Sequence, residues 1–369
     1  MKYYIIAGEA SGDLHGANLM KEIIKLDSNA TLRYWGGDLM QQVGGTLDQH
    51  YRHTAFMGFA EVIKNIFTIF GLFKQCKLQI NTFQPDVLIL IDYPGFNLRM
   101  AKWAKARGLK IVYYITPQVW AWHKSRVHQL GKWTDLLLVI LPFEASFFEK
   151  YGYQSTFVGH PLLDAIDQFG ADPDFVIPLK NGQQILALLP GSRRQEINTI
   201  LPIMLSGAKD TSDMILIAGA PSIEDAIYET IIHASGLKDR VLLIKNRTYD
   251  ILHIADRALV ASGTATLEAA LFFVPQVVCY KGSIFSYMIA SRVIDLKYIS
   301  LVNLIADKEV VKELIQHQLT PENIAKELSV IGEKSKEMKD AYKDIVIKLG
   351  EKGASQRAAR AIYHLYSTS

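Results

Sequence analysis

The stretch VASGTATLEAALFF, Val260 to Phe273, runs from an apolar segment through a turn of small residues into a helix-forming segment. That order predicts a strand that ends in a tight turn and opens a helix. The first amides of a helix lack a carbonyl partner within it and lie at the positive end of its dipole, so such a turn suits an anion. Gly263 lets the backbone approach a ligand closely, Ala265 adds an amide with little bulk, and Ser262, Thr264 and Thr266 bring hydroxyls. Glu268, one turn into the helix, would repel phosphate but can accept hydrogen bonds from two neighbouring sugar hydroxyls. The stretch therefore fits a nucleoside diphosphate or nucleotide sugar better than a bare phosphate. A helix merely capped by Ser262 or Thr264 is the competing reading.

The same strand, turn and helix recur outward along the chain. YYIIAG, VLILID, KIVYYIT and LLLVIL alternate with helical patterns in the first half, and ILALLP, MILIAGA, RVLLIK, RALVAS and QVVCYK do so in the second. This is the pattern of βαβ units around parallel sheets, and it predicts an α/β chain of two doubly wound, Rossmann-like domains facing a cleft. With 369 residues, two domains are the natural division. The first is expected over 1–165, the second over 166–340, and helices over 341–369 are expected to cross back to the first. Residues 159–184 show no periodic element but contain Pro161, Pro173 and Pro178, so the interdomain connection is placed there. After residue 308, Val310, Val311, Leu314 and Ile315 read as helical spacing.

Hydrophobic residues make up 49% of the chain and its formal charge is +3, with Lys and Arg scattered. That argues against a nucleic-acid groove. Cys76 and Cys279 are far apart and form no metal-ligand spacing, which fits a reducing, cytoplasmic compartment without structural zinc. The apolar run near the N-terminus, interrupted by Glu9, is too short for a secretory segment and reads as a first strand. No uncharged stretch approaches the ~18 residues of a membrane span.

Four more segments carry candidate chemistry. GEASGDLHG, Gly8 to Gly16, follows the first strand; Ser11 and Asp13 either cap the helix or face substrate, and Glu9 is not explained as a cap. LLPGSRRQEI, Leu188 to Ile197, repeats the anion-suited turn, with Ser192 in the turn and Arg193 as a cation for a leaving phosphate. Arg194 and Glu196 read as a solvated helix face. LILIDYPGFN, Leu88 to Asn97, ends a buried strand at Asp92, where a carboxylate can take a proton from an attacking hydroxyl. In TPQVWAWHKSR, Thr116 to Arg126, Trp120 and Trp122 either pack in the core or bind an apolar group. The only DxD, Asp172-Pro173-Asp174, follows no strand and reads as a turn, so neither metal nor cofactor is expected.

Residues 56–77, FMGFAEVIKNIFTIFGLFKQCK, predict an amphipathic helix. Phe59, Val62, Ile63, Ile66, Phe67, Phe70 and Phe73 share a face that Ile69 and Leu72 widen, and Lys64, Lys74 and Lys77 line its edge. Such a helix either lies in a membrane interface or is buried in the core.

Together AGEASGD, IDYPGFN, TPQVWAW, LLPGSR, ASGTATLE and SLVNL at 300–304 resemble the lipid-A-disaccharide synthase family, glycosyltransferases of the two-domain GT-B type. The resemblance runs in order over nearly the whole chain. It implies transfer of 2,3-diacylglucosamine from its UDP derivative to 2,3-diacylglucosamine 1-phosphate (lipid X), giving the lipid A disaccharide 1-phosphate and UDP. It also implies a place at the cytoplasmic side of the inner membrane, with the 56–77 segment as the membrane-associated patch. On this resemblance Asp92 is the general base, Arg193 and the amides of 263–266 stabilise departing UDP, Glu268 holds the ribose, and Glu9, Ser11 and Asn303 are further substrate contacts. Gly95, Gln118 and Val302 depart from the family's pattern; the first leaves Asp92 the more solitary base candidate. A UDP-N-acetylglucosamine 2-epimerase and a non-catalytic, membrane-peripheral UDP-sugar-binding protein are the rival readings.

Overall fold

Short apolar runs become central strands here because both of their faces are covered: Val87–Ile91 and Ile185–Leu189 are buried at every position, as parallel strands between helix layers must be. The computed structural model of the chain describes residues 1–53, 66–120, 125–180, 182–282 and 297–367. The chain divides into two units, Met1–Asp164 with Leu349–Ser369, and Ala165–Lys348.

In the first unit, strands β1 (Lys2–Ala7), β2 (Thr31–Gly36), β3 (Thr46–His50), β4 (Val87–Ile91), β5 (Lys110–Tyr114), β6 (Leu136–Val139) and β7 (Thr156–Phe157) form one sheet in the order β3-β2-β1-β4-β5-β6-β7. All its neighbours are parallel. Helices α1 (Ala10–Leu26), α2 (Asp38–Val43), α3 (Ile66–Phe83), α4 (Pro94–Lys105), α5 (Arg126–Trp133) and α6 (Glu144–Lys150) lie between the strands in sequence, and α7 (Pro161–Asp167) carries the chain from one unit to the next.

The second unit holds β8 (Ile185–Leu189), β9 (Met214–Gly219), β10 (Val241–Lys245), β11 (Arg257–Ala261), β12 (Gln276–Tyr280) and β13 (Lys312–Ile315), in the order β10-β9-β8-β11-β12-β13. These strands too are all parallel. Its helices are α8 (Arg194–Gly207), α9 (Asp225–Ser235), α10 (Thr248–Ile254), α11 (Thr264–Leu271), α12 (Leu301–Ala306) and α13 (Pro321–Lys348). The last helix, α14 (Ala354–Ser367), belongs to the first unit. Two doubly wound α/β domains are the result.

Side chains alternate across the first sheet, so it carries a core on each face. Tyr4, Ile6, Leu88 and Leu90 pack with Phe73, Cys76 and Ile80 of α3 on one side. Tyr3, Ile5 and Ile89 pack with Leu19 and Met20 of α1 and with Ala358, Ala359 and Ile362 of α14 on the other. Each fully buried Ile or Leu contributes about 1.5–3 kcal/mol, and small alanines let α14 approach closely.

The structure differs from the sequence reading in four places. Leu314 and Ile315 lie in a strand rather than a helix and Val311 directly precedes it, because β13 continues the ladder beyond β12, with Val277 opposite Lys312 and Cys279 opposite Leu314; so short an apolar run does not reveal its period. The connection around 159–184 contains the helix α7. The strands TLRYWG, TLDQH and Thr156–Phe157 do not stand out in the sequence; the second is half-exposed and the third has two residues. Residue 340, the expected end of the second domain, lies within α13, and the chain enters the first unit again at Leu349.

Candidate active site

Each sheet reverses its winding at one point, and the loops there diverge to leave room for a ligand at the carboxyl ends of the strands. In the first sheet the point lies between β1 and β4, with Ala7 opposite Ile91. The segment starting at Gly8 follows one of these strands and Asp92 follows the other. In the second sheet it lies between β8 and β11, with Leu189 opposite Val260. LLPGSR follows one and ASGTAT the other. Four of the six quoted motifs thus fall at the two switch points.

The turn after β4 is strained. Asp92 and Tyr93 both adopt left-handed backbone, with φ of 42° and 50°, at about 1–3 kcal/mol each for residues with a Cβ. The buried amide of Asn97 offsets this by donating to the carbonyls of Asp92 (2.8 Å) and Ile91 (3.1 Å). The Tyr113 hydroxyl donates to the Asp92 carbonyl at 2.7 Å, and the Asp92 amide donates to Ile115 O at 3.2 Å. Pro94 then starts α4 with its φ already set. Gly8 has no room for a Cβ because the Tyr93 ring lies against it, so the two switch-point loops are fitted to one another. Burial, and secondarily the charge of Glu9, raise the Asp92 carboxyl to about 7, against a lowering hydrogen bond from the Tyr93 amide. A base of that strength is matched to neutral pH.

Glu9 precedes α1 in extended conformation, with φ of −146°, and Ser11 is exposed in the helix's first turn. Asp13 caps a different helix from the expected one. Its carboxylate accepts from the amides of Gly37 (2.7 Å), Leu39 (3.0 Å) and Met40 (3.0 Å) at the start of α2.

In the second unit Gly263 is the N-cap of α11 in extended backbone, with φ of 162°, and open space surrounds the position of a Cβ. Thr264 is exposed and Ala265 half-buried, at first-turn positions whose amides no intrahelical carbonyl can reach. The other two hydroxyls are turned elsewhere, contrary to expectation. Thr266 is fully buried and donates to Gly263 O at 2.8 Å, closing the turn. Ser262 donates to Ile299 O at 3.3 Å. Glu268 is half-buried, accepts from the Tyr249 hydroxyl at 3.2 Å, and has its pKa raised by burial.

At the turn after β8, Glu196 is no solvated-face residue. Its carboxylate folds back over the helix start, accepting from Arg193 Nη1 at 2.8 Å and from the Ser192 amide at 3.3 Å. A Cβ on Gly191, whose φ is +103°, would meet that carboxylate. The Arg193 side chain is 56% exposed.

Several predicted site residues have structural surroundings instead. Trp120 is buried and donates to Glu144 Oε1 at 3.2 Å. Glu144 also accepts from Thr116 Oγ1 and from the amides of Ile140 and Leu141, and burial raises it to about 7. Trp120 therefore packs, while Trp122 and His123 lie outside the described residues. Asn303 is fully buried with its amide spent on Val311 O and Glu313, and its oxygen on the amides of Val310 and Val311. Glu313, which also accepts from Ile299 and Ser300, escaped the sequence reading because its strand looked helical. Asn303 thus pins the segment that receives the Ser262 hydroxyl rather than facing a ligand.

His160 is buried beside His15, and burial lowers their pKa values to about 3 and 4. Asp172 accepts from the Asp174 amide at 2.9 Å and pairs with Arg247 at 2.7 Å, the geometry of a turn.

Of the proposed membrane-facing residues, Phe59 and Ile63 lie outside the described residues, and Ile66 and Phe67 begin α3. Phe73 is buried and stacked on Phe96 at 4.3 Å, and Ile69 and Leu72 pack against the same core. Phe70 is 66% exposed. The face is therefore divided between core and surface.

A family model described as lipid-A-disaccharide synthetase matches residues 3–364. The lipid-A-disaccharide synthase of Geobacter metallireducens is 37% identical over 382 residues, covering 98% of this chain and 96% of that protein. That of Syntrophus aciditrophicus is 38% identical over 365 residues, with 96% and 95% covered. Among solved structures, the S. aureus MnaA–UDP co-structure aligns with a TM-score of 0.72 at 13% identity, covering 100% of this chain and 97% of that one. The glycotransferase of kitacinnamycin aligns with a TM-score of 0.66 at 12% identity, with 98% of each covered. Those two likenesses are of fold, the two-domain GT-B architecture.

Proposed function

We propose a residue-level reaction for this chain, which belongs to the lipid-A-disaccharide synthase family of glycosyltransferases. The donor is UDP-2,3-diacylglucosamine and the acceptor is 2,3-diacylglucosamine 1-phosphate. Asp92 removes the proton of the acceptor 6-hydroxyl as its oxygen attacks the anomeric carbon, the bond to the UDP oxygen breaks, and the configuration inverts. Charge gathering on departing UDP is met by Arg193 and by the first amides of α11, donors fixed before the reaction begins. Glu268 accepts from the ribose hydroxyls, and Glu9 and Ser11 stand beside the acceptor.

The observation that supports this reading most is the turn at Asp92. Two left-handed residues, held by Asn97 and Tyr113, keep one carboxyl at a switch point with a pKa of about 7. Strain of that kind persists where the surroundings over-determine it, which is common at active sites.

Among the described residues no helix is long and apolar enough to cross a membrane. Both substrates carry acyl chains, and the chain meets them at the surface of the inner membrane through residues 56–77 and their continuation in α3. The exposed Phe70 and Leu78, beside Lys74 and Lys77 on a helix without acidic residues, support that placement.

The test is incubation with both diacylated substrates in detergent micelles without added metal, followed by detection of UDP and disaccharide. Absence of both products refutes the proposal, and conversion of UDP-N-acetylglucosamine alone would replace it with epimerisation.

A further inference from the structure

Tyr249 lies in the first turn of α10, and its hydroxyl donates to Oε1 of Glu268 at 3.2 Å. Two rings pack against its half-buried ring: Phe169 meets it edge-on at 5.7 Å and Phe272 tilts against it at 5.2 Å. The helix start is itself anchored, because Arg247 pairs with Asp172 and Asp250 at 2.7 Å each and lies over the Phe175 ring at 4.7 Å. The phenol thus reaches the carboxylate from a packed, ion-paired helix start.

A carboxylate offers about four lone-pair directions in one plane. A fixed donor on one of them sets the plane of the group and leaves the others oriented before a ligand arrives. Two vicinal ribose hydroxyls make a matching pair of donors, whereas a 2′-deoxyribose offers only one. We infer that Tyr249 is a positioning residue that holds Glu268 for the ribose diol and so sets a preference for ribonucleotide over 2′-deoxyribonucleotide donors. This rests on the reading of Glu268 as the ribose acceptor. Burial works against the charged form of Glu268, and the Tyr249 hydrogen bond works for it, so the phenol also opposes the effect of burial on the acceptor.

Calorimetric binding of UDP and 2′-deoxy-UDP to the full chain, to Tyr249→Phe and to Glu268→Ala tests the inference. The Phe variant keeps the packed ring and loses only the donor. Wild type is expected to prefer UDP by about tenfold or more, the value of a hydrogen bond to a charged group. Tyr249→Phe should cut that preference to about threefold or less with a nearly unchanged melting temperature. In that variant UDP affinity should also fall away at a higher pH on acidification, because Glu268 then takes up its proton more readily. Full preference retained by Tyr249→Phe, with the preference lost in Glu268→Ala, overturns the role of Tyr249 alone. No preference in wild type overturns the ribose assignment of Glu268, and the inference with it. Failure of wild type to bind UDP overturns the nucleotide reading itself.

Discussion

The turn after β4 and the turn after β11 both join a parallel strand to a helix at a switch point, yet they are built in opposite ways. At Asp92 and Tyr93 the backbone is left-handed and braced by Asn97 and Tyr113. At Gly263 it is extended, with open space where a side chain would stand. On the proposed reaction the contrast has a chemical reason: a proton acceptor needs one orientation and an environment that raises its pKa, which a crowded turn supplies, whereas an anion site works through bare amides, which a clear turn leaves accessible.

The most direct way to break this contrast is Asp92→Asn, which keeps size and removes the base. A loss of about a thousandfold in kcat is expected, measured as UDP released per folded molecule. The same substitution has a stability signature. The raised folded-state pKa means that the ionised side chain weakens the fold, a penalty absent below pH 4 and fully developed once pH has risen through about 7. Asp92→Asn should therefore melt above wild type at pH 8 and alike at pH 4; a lower melting point at pH 8 would contradict the burial argument.

Asn97→Leu asks whether the crowded turn needs its brace. Removing a buried amide that donates to several carbonyls should cost about 2–3 kcal/mol in denaturant unfolding and lower kcat as Asp92 loses its orientation. The open turn should answer differently. Gly263→Ala meets no neighbour and needs no unusual φ, so melting should be unchanged while UDP binds about tenfold more weakly, the equivalent of about 1.4 kcal/mol. A drop in melting temperature without a change in UDP affinity would make Gly263 a folding residue.

The smallest effect is reserved for Glu9→Gln. In wild type kcat/KM should rise with pH through about 7 as Asp92 ionises. Removing the neighbouring negative charge should move that limb to lower pH. A limb that stays in place would exclude Glu9 from the electrostatics of the base.

Much of this was legible beforehand because it depends on local order. Runs such as VLILI and ILALL can be covered only between helix layers, and the turns that follow them are necessarily at strand ends. The roles of individual polar side chains were harder to see. Ser262, Thr266, Trp120 and Asn303 look alike in sequence whether they face a ligand or another part of the chain. The partners of Ser262, Trp120 and Asn303, which are Ile299, Glu144 and Glu313, lie 10 to 37 residues away, and nothing in a local pattern specifies such a pairing. Phe73 and Phe70 sit on one helix, and packing on Phe96 separates the buried ring from the exposed one.

By itself, the amino-acid order determined the two doubly wound sheets, the positions of the strand-end turns and the choice of Asp92, Arg193 and Glu268 as candidates, since periodicity, glycine and charge act over a few residues. Only the tertiary structure decided that Asp92 is raised by burial and by Glu9, that Asn97 and Tyr113 brace its turn, that Glu196 covers the start of α8, and that the Tyr249 hydroxyl donates to Glu268. Desolvation and hydrogen-bond geometry are properties of neighbours in space, and folding is what selects those neighbours.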